Sequence, residues 1–367
     1  MRSRESRPRR NEARNPRGRL VGGLVVLAMC GAVAACGDDG SSSSGGADAT
    51  EVRLVTYSSF ALPEKAAEKF EEETGAKIRV IASDDSGAML TKALLSAGSP
   101  EGDVIFGIDN TLASRAMSED LLEPYLGPQT DSVEPGVALD GEAGNHLSPI
   151  DLGDVCINVD QSWFESKSIA APTRLADLTD PKYRDLLVVE SPVTSSPGLA
   201  FLIGTVARYG DGWMDYWQQL EDNGVSVRQS WDDAYSTDYT VSGGDRPLVV
   251  SYASSPPAEV VFSEGKRTEP VSTVMTDSCV SQVEYAGVLS GTDRPELARK
   301  LVDFMQGPEW QSEIPLTNFV FPVVADTPLP EEFQKWAVRA DAPLAVDAET
   351  IGEQRDAWIE SWRSIME

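Results

Sequence analysis

The alternation that begins at Glu51 constrains this chain more than any other feature. "VRLVTYS" (52–58) is a short β-rich run. "PEKAAEKFEEETG" (63–75) follows as a helix, with proline at its start, a repeat at Ala66, Ala67, Phe70 and Thr74, and Gly75 as its C-cap. "AKIRVIA" (76–82) is the next strand, "GAMLTKALLSAG" (87–98) the next helix, "GDVIFGI" (102–108) the third strand and "TLASRAMSEDLL" (111–122) the third helix. A βαβαβα series predicts a parallel sheet covered by helices.

A second unit follows. "DVCINVD" (154–160) and "DLLVVES" (185–191) read as strands, "PGLAFLIGTVARYG" (197–210) and "GWMDYWQQLEDNG" (212–224) as helices, and "VSVRQ" (225–229) and "PLVVSYAS" (247–254) as further strands. "PELARKLVDFMQGPEWQSEI" (295–314) and "IGEQRDAWIESWRSI" (351–365) are late amphipathic helices. The roughly 315 residues beyond the first fifty exceed the usual size of one core, so two α/β lobes are the economical reading. Trp213, Trp217, Trp358 and Trp362 fall at helical spacing and read as packing.

The first fifty residues stand apart from the fold. Eight arginines and two glutamates in residues 1–19 precede Leu20–Ala35, an uncharged run of sixteen. That is short of the about 20 residues of a membrane span and fits the apolar region of a secretory signal. The run closes on Val33-Ala34-Ala35-Cys36, which resembles a lipobox, with Cys36 as the lipidated residue of the mature chain. "GDDGSSSSGG" then supplies a flexible polar tether. Residues 1–36 hold a net charge of +6 within a total of −28, so the remainder carries about −34. So acidic a chain argues against nucleic acid and anionic lipid as partners and suits a cationic ligand or high solubility alike.

Of four cysteines, Cys30 lies in the signal and Cys36 at its end. Export to an oxidising compartment allows a disulfide between Cys156 and Cys279 and equally allows two buried thiols. Two cysteines and the lone His146 are too few soft ligands for a zinc or iron–sulfur centre. Phosphate loops, nucleophile elbows and zinc-protease or acylation motifs are absent from the sequence, and His146 sits in a polar stretch without a nucleophile beside it. An exported chain of this kind points to binding rather than catalysis.

What recurs instead is aromatic and small polar groups at strand ends. Tyr57-Ser58-Ser59-Phe60, Asp84-Asp85-Ser86-Gly87 and Gly107-Ile108-Asp109-Asn110-Thr111 end the first three strands. Thr194-Ser195-Ser196-Pro197-Gly198 opens a helix. Ser230-Trp231-Asp232 and Tyr252-Ala253-Ser254-Ser255-Pro256 follow two later strands. Each alone reads as a cap or a turn; together they lie where ligand crevices form, beyond the carboxyl ends of parallel strands.

The segments "LVTYSSFA", "EKFEEETGAKIRVIASDDSGAMLTKAL", "GDVIFGIDNTLASRA", "VESPVTSSPGLAFL", "SWDDAY", "LVVSYASSPPAEVV" and "EIPLTNFVFPVV" occur in order over about residues 52–365. They resemble the thiamine-binding components of ABC importers, a branch of the type II periplasmic binding proteins related to ferric-ion binders. The resemblance implies a two-lobed α/β fold, each lobe a mixed, mostly parallel sheet flanked by helices, with hinge strands between. It implies residues 51–150 plus about 275–345 as one lobe, 151–274 as the other, and 346–367 as a C-terminal helix packing on both. It also implies a monomer, tied to the outer face of the cytoplasmic membrane only through the lipid on Cys36, that hands thiamine or its phosphate esters to a permease and its ATPase without a cofactor. Carried over by position, Tyr57 and Trp231 would contact the rings of thiamine. Asp85, Ser86, Ser195 and Ser196 would meet its polar end, and Tyr252, Ala253, Ser254, Ser255 and Pro256 would wall the site, with Asp109 and Phe319 nearby. The chain departs from the pattern at Ala258, where an aromatic is common, and at Phe319, where a tryptophan is expected.

The chemistry suits such a ligand. Tyr and Trp faces attract a flat cation by about 0.5–1 kcal/mol when exposed and about 2 kcal/mol or more when desolvated. Serines at a helix start suit a hydroxyl or its phosphate ester. Two rival readings share the fold: a ferric-ion or other small-solute binder, which needs paired tyrosines with His or Glu, and a secreted thiamine-degrading transferase, which needs an accessible cleft nucleophile such as cysteine.

Overall fold

The computed structural model describes residues 50–367, so the signal, Cys30, Cys36 and the tether up to residue 49 lie outside the described residues. The first unit runs β1 (Thr50–Thr56), α1 (Glu64–Thr74), β2 (Ala76–Ala82), α2 (Ser86–Leu95), β3 (Val104–Asp109) and α3 (Ala113–Ala116). α1 ends as its sequence dictates. Gly75 takes φ 72°, a left-handed conformation cheap only for glycine, and its N–H donates to the Glu71 carbonyl. α3 is a single turn, not the helix over 111–122 that the pattern predicts. The chain leaves the helix at Glu119 and Asp120, both at positive φ, and this brings buried Leu121 and Leu122 back to a bridge with Leu289.

β4 (Ser148–Asp160), α4 (Gln161–Lys167), β5 (Leu187–Glu190), α5 (Ser196–Tyr209), α6 (Trp213–Asp222), β6 (Ser226–Arg228), β7 (Leu248–Tyr252) and α7 (Pro256–Val261) follow. Pro256 and Pro257 open α7, where a missing N–H costs nothing. The chain closes with β8 (Ser272–Val288), α8 (Pro295–Met305), α9 (Pro308–Thr317), β9 (Phe321–Pro322), α10 (Glu331–Trp336) and α11 (Ala348–Met366). The single helix expected over 295–314 is two, because Gly307 takes an extended conformation and Pro308 starts the second.

One sheet runs through the described chain in the order β2-β1-β3-β8-β4-β7-β5-β6, with β9 beside β4. β1 pairs in parallel with β2 and β3, and β5 with β6 and β7, giving one parallel block at each end. Between them β4 and β8 run antiparallel to each other and to their outer neighbours β7 and β3. The sheet is therefore mixed, and two long strands thread both halves. The sulfurs of Cys156 on β4 and Cys279 on β8, 123 residues apart in sequence, are bonded and buried at this crossing. Trp213, Trp217 and Trp362 are buried and Trp358 packs at the edge of the core, with Trp217 and Trp362 edge-to-face at 5.7 Å. No helix among the described residues is long and apolar enough to cross a membrane.

Candidate ligand-binding site

The carboxyl ends of β1, β2, β6 and β7 converge, and each delivers a side chain to one cavity of about 270 Å³: Tyr57, Asp85, Trp231 and Tyr252. Ser59, Ser86, Tyr235, Ser255, Ala258, Phe262, Glu284, Asn318 and Phe319 also face it. Among the described residues no lysine, arginine or histidine lines this cavity.

The rings are held from behind. Gly107, at φ +100°, leaves room for Tyr57, since a Cβ there would fall 2.4 Å from Tyr57 Cδ1. Tyr57 OH donates to Glu284 Oε2 at 2.9 Å. The Trp231 indole stacks on Tyr235 with centroids 4.7 Å apart and planes 13° apart. Its ring N–H donates to Ser251 Oγ at 2.9 Å, and that hydroxyl shares a hydrogen bond with Ser255 Oγ. The π-helical segment Asp232–Asp238, a widened turn of the kind often found at functional sites, carries Tyr235 under Trp231. Phe262, 70% exposed, meets Phe319 edge-to-face at 5.4 Å.

The charged groups are carboxylates. Asp85 caps α2: Oδ1 accepts from Ser86 N–H at 2.7 Å and Oδ2 from Trp231 N–H at 2.9 Å, so one side chain ties the two parallel blocks together. Burial raises its pKa, while those N–H groups and the Ser195 hydroxyl oppose the shift. Burial also raises Glu284, to about 8. Both Tyr57 and Tyr252 are pushed well above the usual phenol range, first by burial and then by Glu284.

Further contacts join the blocks around the cavity. Ala88 N–H donates to the Thr194 carbonyl at 3.1 Å, and Ser58 Oγ donates to Asp232 Oδ2 at 3.1 Å. Gly87 is what permits the first, because a Cβ there would lie 2.8 Å from Thr194 O.

Seven of the thirteen residues expected at the ligand line the cavity: Tyr57, Asp85, Ser86, Trp231, Tyr252, Ser255 and Phe319. The other six stand behind the wall. Ser195 caps α5 and faces Asp85, and Ser196 Oγ donates to Asp109 Oδ2. Both serines serve buried carboxylates rather than open space. Asp109 is fully buried, its other oxygen accepting from Thr111 N–H, Thr111 Oγ1 and Leu112 N–H. Ala253 packs on the disulfide, Ser254 is buried and Pro256 forms the first turn of α7. Sequence reasoning missed Glu284, Tyr235, Phe262 and Asn318. The run "SWDDAY" did hold the signal for Tyr235, four residues after Trp231 and so stacked one turn on.

A family model described as bacterial extracellular solute-binding protein matches residues 99–341. The chain belongs to that family. This solute-binding protein is 30% identical over 315 residues to a thiamine-binding periplasmic protein of Salmonella typhimurium, covering 84% of the chain and 91% of the relative. Its fold matches a solved periplasmic thiamin binding protein with a TM-score of 0.77 at 26% identity, over 88% of the chain and 98% of that structure. Iron-bound HitA from Pseudomonas aeruginosa shares the fold at a TM-score of 0.65 and 18% identity, over 86% of the chain and 99% of that protein. The type II two-lobed architecture of the solute-binding protein thus accounts for two parallel blocks threaded by β4 and β8.

Proposed function

We propose that this solute-binding protein captures thiamine, or a phosphate ester of it, between its lobes and delivers it to an ABC permease. The observation that carries the reading is a cavity walled by Tyr57, Trp231, Tyr235, Tyr252 and Phe319, with Asp85 and Glu284 as its charged groups. Flat aromatic faces and unopposed carboxylates suit a flat organic cation. The relatives named for thiamine support the same choice. Ser86, at the N-terminus of α2, offers a hydroxyl and a helix end to the ligand's hydroxyl or ester tail. In this reading residues 51–150 with about 275–345 form one lobe, 151–274 the other, and 346–367 the helix across them. Addition of thiamine should quench tryptophan fluorescence saturably; an unchanged spectrum with thiamine and both phosphate esters would refute the reading.

The two rivals fare worse on particular residues. Iron favours phenolates, whereas the Tyr57 hydroxyl donates a hydrogen bond to Glu284 and burial holds Tyr57, Tyr235 and Tyr252 protonated. Ferric citrate is accordingly expected to produce no visible charge-transfer band. The transferase needs a free thiol, and both described cysteines are joined in a disulfide away from the cavity.

Closure of the lobes on the ligand is the state that the permease reads in this account. Gly87→Ala places a methyl against the Thr194 carbonyl, and overpacking of that kind costs about 1–3 kcal/mol. Thiamine affinity should fall roughly tenfold or more with the fold intact, and small-angle scattering of the liganded variant should show a larger radius of gyration. A variant that binds and compacts like the parent would show that the Ala88–Thr194 contact does not belong to closure. For the anchor, Cys36→Ala is expected to release the protein from the membrane fraction into the soluble one, and continued membrane retention would argue against lipidation there.

A further inference from the structure

Across three adjacent strands the register puts three carboxyls in one row. Glu284 on β8 pairs with Asp109 on β3 and with Asp151 on β4, and all three are buried. Like charges directly opposite each other in a sheet repel, and burial makes the repulsion worse. Asp109 is answered by Thr111, Leu112 and Ser196, and Arg355 of α11 acts on it. Asp151 and Glu284 are answered by fewer donors. Asp151 keeps one oxygen, Oδ1, without a partner. Glu284 accepts from Tyr57 and otherwise faces Asp151, Asp85 and the Tyr252 phenol. Of this pair, Glu284 reaches the cavity.

We propose that Asp151 and Glu284 share a proton in the empty protein and that the pair, by giving it up, becomes the counter-ion of the bound cation. The inference rests on the reading of the ligand as thiamine, whose quaternary thiazolium nitrogen carries no proton to lose and stays cationic through the neutral range. The step balances: one positive charge enters the cavity, one proton leaves a carboxyl O–H for bulk water, and the net buried charge is unchanged. An exchange of that kind avoids both an uncompensated carboxylate in the empty site and an uncompensated cation in the filled one. Burial and neighbouring acids hold Asp151 well above the carboxylate range and Glu284 at about 8, so the proton is present at neutral pH.

The sign follows from linkage. A ligand that favours the ionised pair binds more tightly as pH rises, until the empty site has lost its proton unaided. The dissociation constant for thiamine should fall about tenfold per pH unit near neutrality and level off above roughly pH 8 to 9. Titration calorimetry at pH 7 in HEPES and in Tris should differ by the ionisation enthalpy of the buffers, corresponding to release of about one proton per thiamine. Glu284→Gln, which can still accept from Tyr57, should abolish both the pH dependence and the buffer dependence, and Asp151→Asn should reduce them. Thiamine binding with a pH-independent constant and no proton release would overturn the proposal and leave the thiamine reading standing. Proton release that persists in both variants would overturn it equally. Absence of thiamine binding at any pH would remove the functional reading and this inference together. Should Glu284→Gln fail to fold, the parent's buffer dependence and Asp151→Asn decide the matter.

Discussion

Trp231→Ala is expected to weaken thiamine binding by at least about 2 kcal/mol, roughly 30-fold, the contribution of a desolvated aromatic face to a bound cation. Trp231 is fixed by three contacts: Tyr235 stacks on the indole, Ser251 accepts from the ring N–H, and the backbone N–H of Trp231 donates to Asp85. Because that last contact is made by the main chain, it survives the substitution, so the loss reports the ring itself. Trp231→Phe, which keeps a face but not the ring N–H, should recover part of the affinity. Equal binding by parent and alanine variant would place the cation elsewhere in the cavity.

Removing the disulfide is expected to have the largest effect on stability. The bond links β4 to β8 across 123 residues, and a loop of that length closed in the unfolded chain corresponds to about 5 kcal/mol in the chain-entropy model. The Cys156→Ala/Cys279→Ala double variant should therefore melt on the order of 5–10 °C below the parent, and reductant should lower the parent's melting temperature in the same way. Both sulfurs are buried between the paired strands β4 and β8, so the loss also weakens the middle of the sheet. An unchanged melting temperature would mean that the packing of β4 on β8 suffices without the covalent link.

Much of the fold is legible in local pattern. The first three strands and the first two helices follow from periodicity, from Gly75 as a C-cap and from Asp85 as an N-cap, because each signal lies within one turn of its consequence. β8 is not legible in that way. Its 17 residues mix Asp, Ser, Gln and Glu with apolar ones, since they pass from one half of the sheet to the other and much of the strand is covered on both faces. Its partner β4 lies more than a hundred residues earlier, and no local rule joins them. The break between α8 and α9 was written in Gly307-Pro308, yet the apolar spacing on either side suggested continuity.

The site divides along the same line. Strand-end residues announce where a crevice forms, but not which of them face it. Ser195 and Ser196 were expected at the ligand because helix-start serines bind polar groups; they do so here, for Asp85 and Asp109. Glu284 stayed hidden because it sits inside a strand, where an acidic residue reads as solvent-facing until the opposing Asp151 and Asp109 are known.

Calorimetric titration of the purified protein with thiamine, thiamine monophosphate and thiamine diphosphate decides whether this cavity binds thiamine. Saturable binding of one molecule per chain is expected for thiamine or an ester, markedly weakened in Trp231→Ala. The absence of binding heat for all three ligands across neutral and alkaline pH would contradict it.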